Sequence, residues 1–251
     1  MKRTFWLIFL TMSCGAVAGQ QILTMPMQHE MTEIWEPEVT IIQAGANYGD
    51  IPSDAISLFN GTNFMDEWSN AKGEKPGWQV ENGIITVVKG TGDIKTKRKF
   101  SDFQLHIEWR TPSEVVGESQ GRGNSGIFLQ ELYELQVLDN YNNRTYRNGQ
   151  AGGIYKQYPP LVNVCRKPGE WQTYDIIFMA PVFQKDGTYR VPPRVTVLQN
   201  GVLVLNGVNL RGPTEYIGIP EYTLKSHGPG SIRLQDHGNP VSYRNIWIRE
   251  L

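Results

Sequence analysis

The sequence predicts an all-β fold, a jelly-roll sandwich of two antiparallel sheets with one concave face free for a ligand. Three observations predict it. Apolar residues alternate with polar ones at period two in several short runs. Gly and Pro punctuate the chain closely, with 26 Gly and 15 Pro in 251 residues. No window of helix length carries an apolar stripe at period 3.6. No repeat recurs along the chain, which argues against a propeller.

The strands follow in order. Trp78-Gln79-Val80, then Glu81-Asn82-Gly83, then Ile84 to Val88 reads as strand, Asn-Gly turn and strand. Phe103, Leu105, Ile107 and Trp109 alternate with Gln104, His106 and Glu108, a strand with one buried face. Trp171 to Met179 and Tyr243 to Ile248 read as further strands. Val195 to Leu198, Gln199-Asn200-Gly201 and Val202 to Leu205 form a second hairpin.

Ahead of the strands, Lys2 and Arg3 precede the apolar stretch Phe5 to Met12 and the small residues Ala16-Val17-Ala18. Residues 1–18 therefore read as a secretory signal, with no transmembrane segment, because the apolar stretch is too short to cross a bilayer. Export to the periplasm, the outer membrane or the medium is expected. Cys14, in Thr11-Met12-Ser13-Cys14-Gly15, keeps bacterial lipidation open, although the usual Leu three residues earlier is missing. Residues 19–54 lack periodicity and read as an extended leader or linker, which leaves 55–251 for the sandwich. Lys+Arg 24 against Asp+Glu 25 gives a net charge of -1, which argues against nucleic acid as a partner. Two Cys exclude a disulfide framework, and Cys165 reads as a buried or half-buried thiol.

Candidate chemistry sits where polar groups share a strand face. In Glu131-Leu-Tyr-Glu134-Leu-Gln136-Val-Leu-Asp139, residues Glu134 and Gln136 point one way, roughly 7 Å apart, and Tyr133, Leu135 and Val137 point into the core. Asp139 joins the first face only through a bulge. In Ser231 to Pro240, Ile232 and Leu234 are core positions, and Arg233, Gln235 and His237 share the opposite face. Gly121-Arg122-Gly123-Asn124-Ser125-Gly126 places Arg122 and Asn124 where they fork hydrogen bonds to sugar hydroxyls. It is no phosphate loop, because it lacks the Lys-Ser/Thr ending and a following helix. Gly-x-Ser-x-Gly and His-Glu-x-x-His are absent, and four His with two Cys supply a transition metal poorly. An oxygen-ligated divalent cation such as Ca²⁺ stays open. Glu134-x-Gln136-x-x-Asp139 follows the outline of the glucanase strand Glu-x-Asp-x-x-Glu, but an amide replaces its middle carboxylate.

Several motifs together resemble one family. They are Leu58-Phe59-Asn60-Gly61, Trp78-x-Val80-x-Asn82-Gly83, Thr96-Lys97, Asp102-Phe103 and Asn124-Ser125-Gly126-Ile127. Tyr133-Glu134-Leu135-Gln136-Val137-Leu138-Asp139, Gly169-Glu170-Trp171 and Asn200-Gly201-Val202 follow in order, and Leu234 to Val241 and Arg244-Asn245-Ile246-Trp247 close the set. From about Ala55 to Leu251 the chain is similar to the 3-keto-disaccharide hydrolase domain family, long catalogued as a domain of unknown function. The resemblance implies a concanavalin-like sandwich exported by bacteria that degrade glycans or plant glycosides. It also implies a saccharide or glycoside substrate already oxidised at C3 by a separate oxidoreductase. The leader and the stretch Glu114 to Gln120 fall outside the family pattern and bear on the rim of the pocket.

For such a substrate, a base takes the hydrogen from C2, the enolate expels the C1 substituent, and water adds to the unsaturated sugar. Glu134 or His237 is expected as the base. Arg122, or a cation held by carboxylates, is expected at the enolate. Gln136, Gln235, Asn124 and Asp236 are expected to bind hydroxyls, with Arg233 and Asp139 beside them, and Trp68 or Tyr155 to stack on the sugar. A non-catalytic lectin-like module and an ordinary glycoside hydrolase are the alternatives.

Overall fold

Antiparallel pairing accounts for nearly all the regular structure. The structure is a computed structural model, and it describes residues 26–220 and 226–251. The expected signal at 1–18, with Cys14, lies outside the described residues. The chain divides into a unit Met1–Ile41, whose described part holds the short 3₁₀ turn His29–Thr32, and a compact unit Ile42–Leu251. Residues 42–54, within the range expected as linker, thus belong to the compact unit.

Among the described residues, the larger sheet has eight strands. Its order is Val202–Asn209, Arg194–Gln199, Gln172–Met179, Phe103–Arg110, Ser242–Glu250, Ile84–Thr86 and Gln79–Glu81, and Ile56–Phe59 also pairs with Ser242–Glu250. The smaller sheet runs Trp68–Asn70, Ile94–Thr96, Arg233–Leu234, Ser125–Leu129 and Tyr133–Val137. The expected hairpins and strands are all present. The four-residue helix Phe64–Glu67 has no periodic signature in the sequence; it exists to bury Phe64 edge-on against Phe59, with ring centroids 6.2 Å apart.

The core forms where the inner faces meet. Phe103, Leu105, Ile107 and Trp109 come from the larger sheet, and Ile127, Tyr133, Leu135 and Val137 from the smaller. Two buried tyrosines stitch the layers: Tyr174 donates to the Gln136 carbonyl at 2.8 Å, and Tyr243 donates to Ser125 Oγ at 2.7 Å. Each large apolar side chain buried here stabilises the fold by about 1.5–3 kcal/mol.

His106 lies on the outer face of the larger sheet, as alternation requires, yet it is fully buried. Residues 48 and 49 cover it. The Tyr48 hydroxyl donates to Asp175, and the Gly49 carbonyl accepts from Asn245 Nδ2 at 2.9 Å and Trp247 Nε1 at 2.8 Å. A Cβ on Gly49 would lie 2.9 Å from His106 Nε2, so this glycine permits the close approach. Burial alone would lower the His106 pKa. The hydrogen bond to Asp175 at 2.7 Å and the nearby Glu108 outweigh it and push the imidazole up to about 9.

The raised value has a stability consequence. Because the folded pKa exceeds the unfolded one, the His106 contribution is complete below about pH 6.5 and is lost as pH rises through about 9. Urea unfolding between pH 6.5 and 9.5 is expected to show wild type losing about 1–2 kcal/mol more than Asp175→Asn. Equal losses would contradict the Asp175–His106 lock.

Candidate active site

Three strands of the smaller sheet build the site, and their register explains its chemistry. Phe128 pairs with Arg233 on one side and Glu134 on the other. Gly126 pairs with Gln136, and its carbonyl accepts from the Gln235 amide at 3.0 Å. Two rows therefore cross the outer face of the sheet, Arg233–Phe128–Glu134 and Gln235–Gly126–Gln136. Gly126 keeps the middle open, since a Cβ there would lie 2.7 Å from Glu134 Oε1 and 3.1 Å from the Phe128 ring. A chain segment flanks Tyr133–Val137 on its free edge, with Gln136 N bonded to Gly153 O, Gly152 N to Gln136 O and Tyr155 N to Glu134 O.

The result is a cavity of about 600 Å³. One end is rich in acceptors. Gln136 Nε2 donates to Gln120 Oε1 at 2.9 Å, and Asn124 Nδ2 to the Gln120 carbonyl at 2.7 Å. Each bond uses one N–H and fixes the amide. Gln136 Oε1, Asn124 Oδ1 and Gln235 Oε1 are buried acceptors with no protein partner. Such groups are costly unless a ligand or water satisfies them. His237 stands exposed at this rim.

Glu134 sits between the ends. The residue is 6% exposed, and its carboxylate accepts no side-chain hydrogen bond from the described residues. Burial raises its pKa, Arg233 pulls it down and Asp93 pushes it up, leaving it at about 7. The other end is aromatic and carries donors. The hydroxyls of Tyr146 and Tyr155 are 2.6 Å apart, Thr214 Oγ1 accepts from Glu134 N at 2.9 Å, and Lys156 and Tyr216 close the wall. Burial raises the pKa of both Tyr146 and Tyr155.

Of the residues expected from the sequence, Asn124, Glu134, Gln136, Tyr155, Gln235 and His237 line this one cavity. Five others need correction. Arg122 and Asp139 form a buried ion pair at 2.6 Å beside a separate cavity of about 120 Å³. Asp139 does not rejoin the Glu134 face, because the strand ends at Val137 and its carboxylate turns to Arg122 and the Tyr141 amide. Asp236 accepts from the amides of Gly90, Gly92 and Gly238, and so clamps a loop instead of facing a ligand. Trp68 is fully buried, its indole N–H given to the Leu58 carbonyl at 2.8 Å. Arg233 shares the Glu134 face but is stacked over Phe128 at 3.5 Å and paired with Asp93 at 2.5 Å. Sequence reasoning missed Gln120, Tyr146, Lys156, Thr214 and Tyr216, which arrive on loops without periodicity. The departure of Glu114 to Gln120 from the family pattern was the one signal, and it delivers Gln120 to the cavity.

No three His, Cys, Asp or Glu side chains converge among the described residues. The cavity's donor set is one carboxylate with amide oxygens, a set suited to hydroxyl groups.

Sandwich and cavity together define a carbohydrate-active β-sandwich protein. The chain belongs to the 3-keto-alpha-glucoside-1,2-lyase-like domain family, whose profile matches residues 54–249. It is similar to the 3-keto-disaccharide hydrolase of Bacteroides thetaiotaomicron, 26% identical over 244 residues that cover 80% of this chain and 81% of the relative. A crystal structure from Parabacteroides distasonis, provisionally named a glycosyl hydrolase, is 54% identical with a TM-score of 0.85, covering 90% of this chain and 97% of that one. A second structure from that organism, named the same way, is 23% identical with a TM-score of 0.56, covering 79% and 94%, and speaks for the fold.

Gly126→Ala is expected to leave the fold intact, as judged by circular dichroism, while displacing the Glu134 carboxylate. Misplacement of that order costs about 10²-fold in kcat/KM. Arg122→Met should instead strand the buried Asp139 charge and cost about 3–5 kcal/mol in urea unfolding. An unchanged unfolding midpoint would refute the structural role of that pair.

Proposed function

We propose that the protein cleaves 3-keto-glycosides, 3-keto-disaccharides among them, by elimination and rehydration. One observation carries the reading. Glu134 is the sole carboxylate among the described residues that line the cavity, and it is buried, unpartnered and poised near neutrality. Ordinary glycoside hydrolysis uses two carboxylates flanking one bond. Deprotonation beside a ketone needs one base whose pKa lies near the working pH. The name of the Bacteroides relative and that of the family support the same substrate class.

In this reading the Glu134 carboxylate takes the proton from C2, and the C–H pair becomes the C2=C3 bond of an enolate. When that pair moves on to C1=C2, the C1–O bond breaks and the leaving oxygen takes a proton from His237 at the rim. Water then adds at C1 of the unsaturated sugar, giving its proton to His237, and Glu134 returns its proton to C2. The net change is hydrolysis, and both groups are reset. The free oxygens of Gln136, Asn124 and Gln235 accept from ring hydroxyls and Tyr155 offers its ring face.

A Ca²⁺ ion in the cavity would have Glu134 as its only carboxylate ligand and would quench its basicity, so no step is routed through one. The C3 ketone requires a prior oxidation of a sugar hydroxyl, which we assign to a separate oxidoreductase. The basic, apolar and small-residue order of residues 1–18 supports export.

Wild type is expected to release aglycone from a 3-keto-glucoside and to leave the unoxidised glucoside intact. Glu134→Gln should lower the rate by about 10²–10⁴. The wild-type kcat/KM should fall as pH drops through about 7, where Glu134 takes up its proton. Saturable binding of the keto-glucoside with no release would establish a lectin-like module instead.

A second measurement separates the charge from the fold. The folded pKa of Glu134 exceeds the ordinary value of 4.5, so ionisation costs stability progressively from pH 4.5 to about 7 and fully above. At pH 8, Glu134→Gln should be more stable by on the order of 2 kcal/mol, several degrees in Tm. A destabilised Glu134→Gln would mean that the carboxylate is held by favourable contacts.

A further inference from the structure

Resting on the elimination reading above, we infer that the Lys156 ammonium is the group that holds the enolate oxygen at C3. The cavity is divided in its hydrogen-bonding character. At the amide end, Gln136 and Asn124 each give one N–H to Gln120, and the side-chain oxygens of Gln136, Asn124 and Gln235 are left as buried acceptors without a protein partner. Acceptors bind hydroxyls and repel a developing oxyanion. Buried acceptors disfavour a developing negative charge beside them, and the end that holds Tyr155, Tyr216 and Lys156 offers it an ammonium.

Lys156 is the only Lys or Arg among the described residues lining the cavity. Arg122, expected in this role from the sequence, is locked to Asp139 in another cavity, and Arg233 is spent on Asp93 and Phe128. The Lys156 ammonium lies 4.5 Å from the Tyr216 ring centroid and 5.6 Å from that of Tyr155, and donates to the Tyr216 carbonyl. No carboxylate among the described residues pairs with it. An ammonium has three N–H donors, so one hydrogen bond to a carbonyl leaves capacity for a ligand oxygen. The backbone is also unusual here. Lys156 has φ +59, a left-handed conformation that costs a residue with a side chain, and its amide is tied to the Asn148 carbonyl at 2.7 Å. Tyr155, one residue earlier, is bonded to the Glu134 carbonyl, which keeps base and ammonium on one frame.

The step balances without a further reactant. Glu134 gains the C2 proton, the C–H pair forms C2=C3, and the carbonyl π pair moves onto O3, where the ammonium neutralises it without giving up a proton. When O3 reforms its double bond, the C2=C3 pair becomes the C1=C2 bond and the C1–O pair leaves with the departing oxygen.

The test uses 1,5-anhydro-3-keto-glucitol, which has no exocyclic leaving group at C1. On this probe no aglycone can be lost, and enolisation is read directly as C2–H exchange in deuterium oxide by NMR. Lys156→Met is expected to slow exchange by about 10²–10³-fold while binding of the probe, by calorimetry, stays within about threefold. Lys156→Arg should recover at least tenfold of the loss, because it restores the charge and not the shape. Should Lys156→Met fail to fold, Lys156→Gln makes the same comparison. Exchange within about threefold of wild type in either folded variant overturns the assignment while leaving the reaction standing. A wild-type protein that neither exchanges C2–H nor releases aglycone from a 3-keto-glucoside overturns the reaction itself, and this role with it.

Discussion

Everything at the site depends on the strict alternation of the strand Tyr133–Val137. Three of its side chains are anchored in the core between the sheets, and the two between them have no choice but the outer face. Tyr133, Leu135 and Val137 fix the register by burial, and the pairing with Ser125–Leu129 then sets Glu134 beside Phe128 and Gln136 beside Gly126. A shift by one residue would drive a carboxylate into the core and expose three large apolar groups. The Glu134 carboxylate is thus placed by hydrophobic packing on the far side of the sheet, with no hydrogen bond of its own to hold it.

That placement explains the electrostatics. A carboxylate partnered by donors would sit below its ordinary pKa, as Glu108 does at about 2 under hydrogen bonds from Asn245 and Arg244 and the nearby His106, which outweigh its burial. Glu134 is deprived of such donors, and burial dominates. The same fold therefore holds two glutamates at opposite extremes, one as a structural anion on the larger sheet and one as a group able to exchange its proton near neutrality.

Most of the fold and the centre of the site were legible in the sequence, because both are written at period two. Glu134, Gln136 and Gln235 follow directly from strand alternation, and Asn124 and His237 flank those strands. The failures share a cause. Asp139 and Asp236 lie beyond strand ends, where the chain turns and parity no longer predicts direction. Arg122 sits in a glycine-rich connection whose partner, Asp139, is 17 residues away. Tyr146, Lys156, Thr214 and Tyr216 are carried by irregular segments, so nothing in their local pattern marks them. Trp68 illustrates a different limit: an aromatic beside polar residues looks the same in sequence whether it meets a sugar or a neighbouring carbonyl.

The segment that runs along the free edge of Tyr133–Val137 has a second consequence. An uncovered outermost strand is a template for another chain, and the backbone bonds from residues 152, 153 and 155 blunt that hazard. Because the same stretch carries Tyr155 and leads into Lys156, the ligand wall doubles as a guard against self-association. Loosening this stretch would therefore bare a strand edge at the same time as it reshaped the cavity.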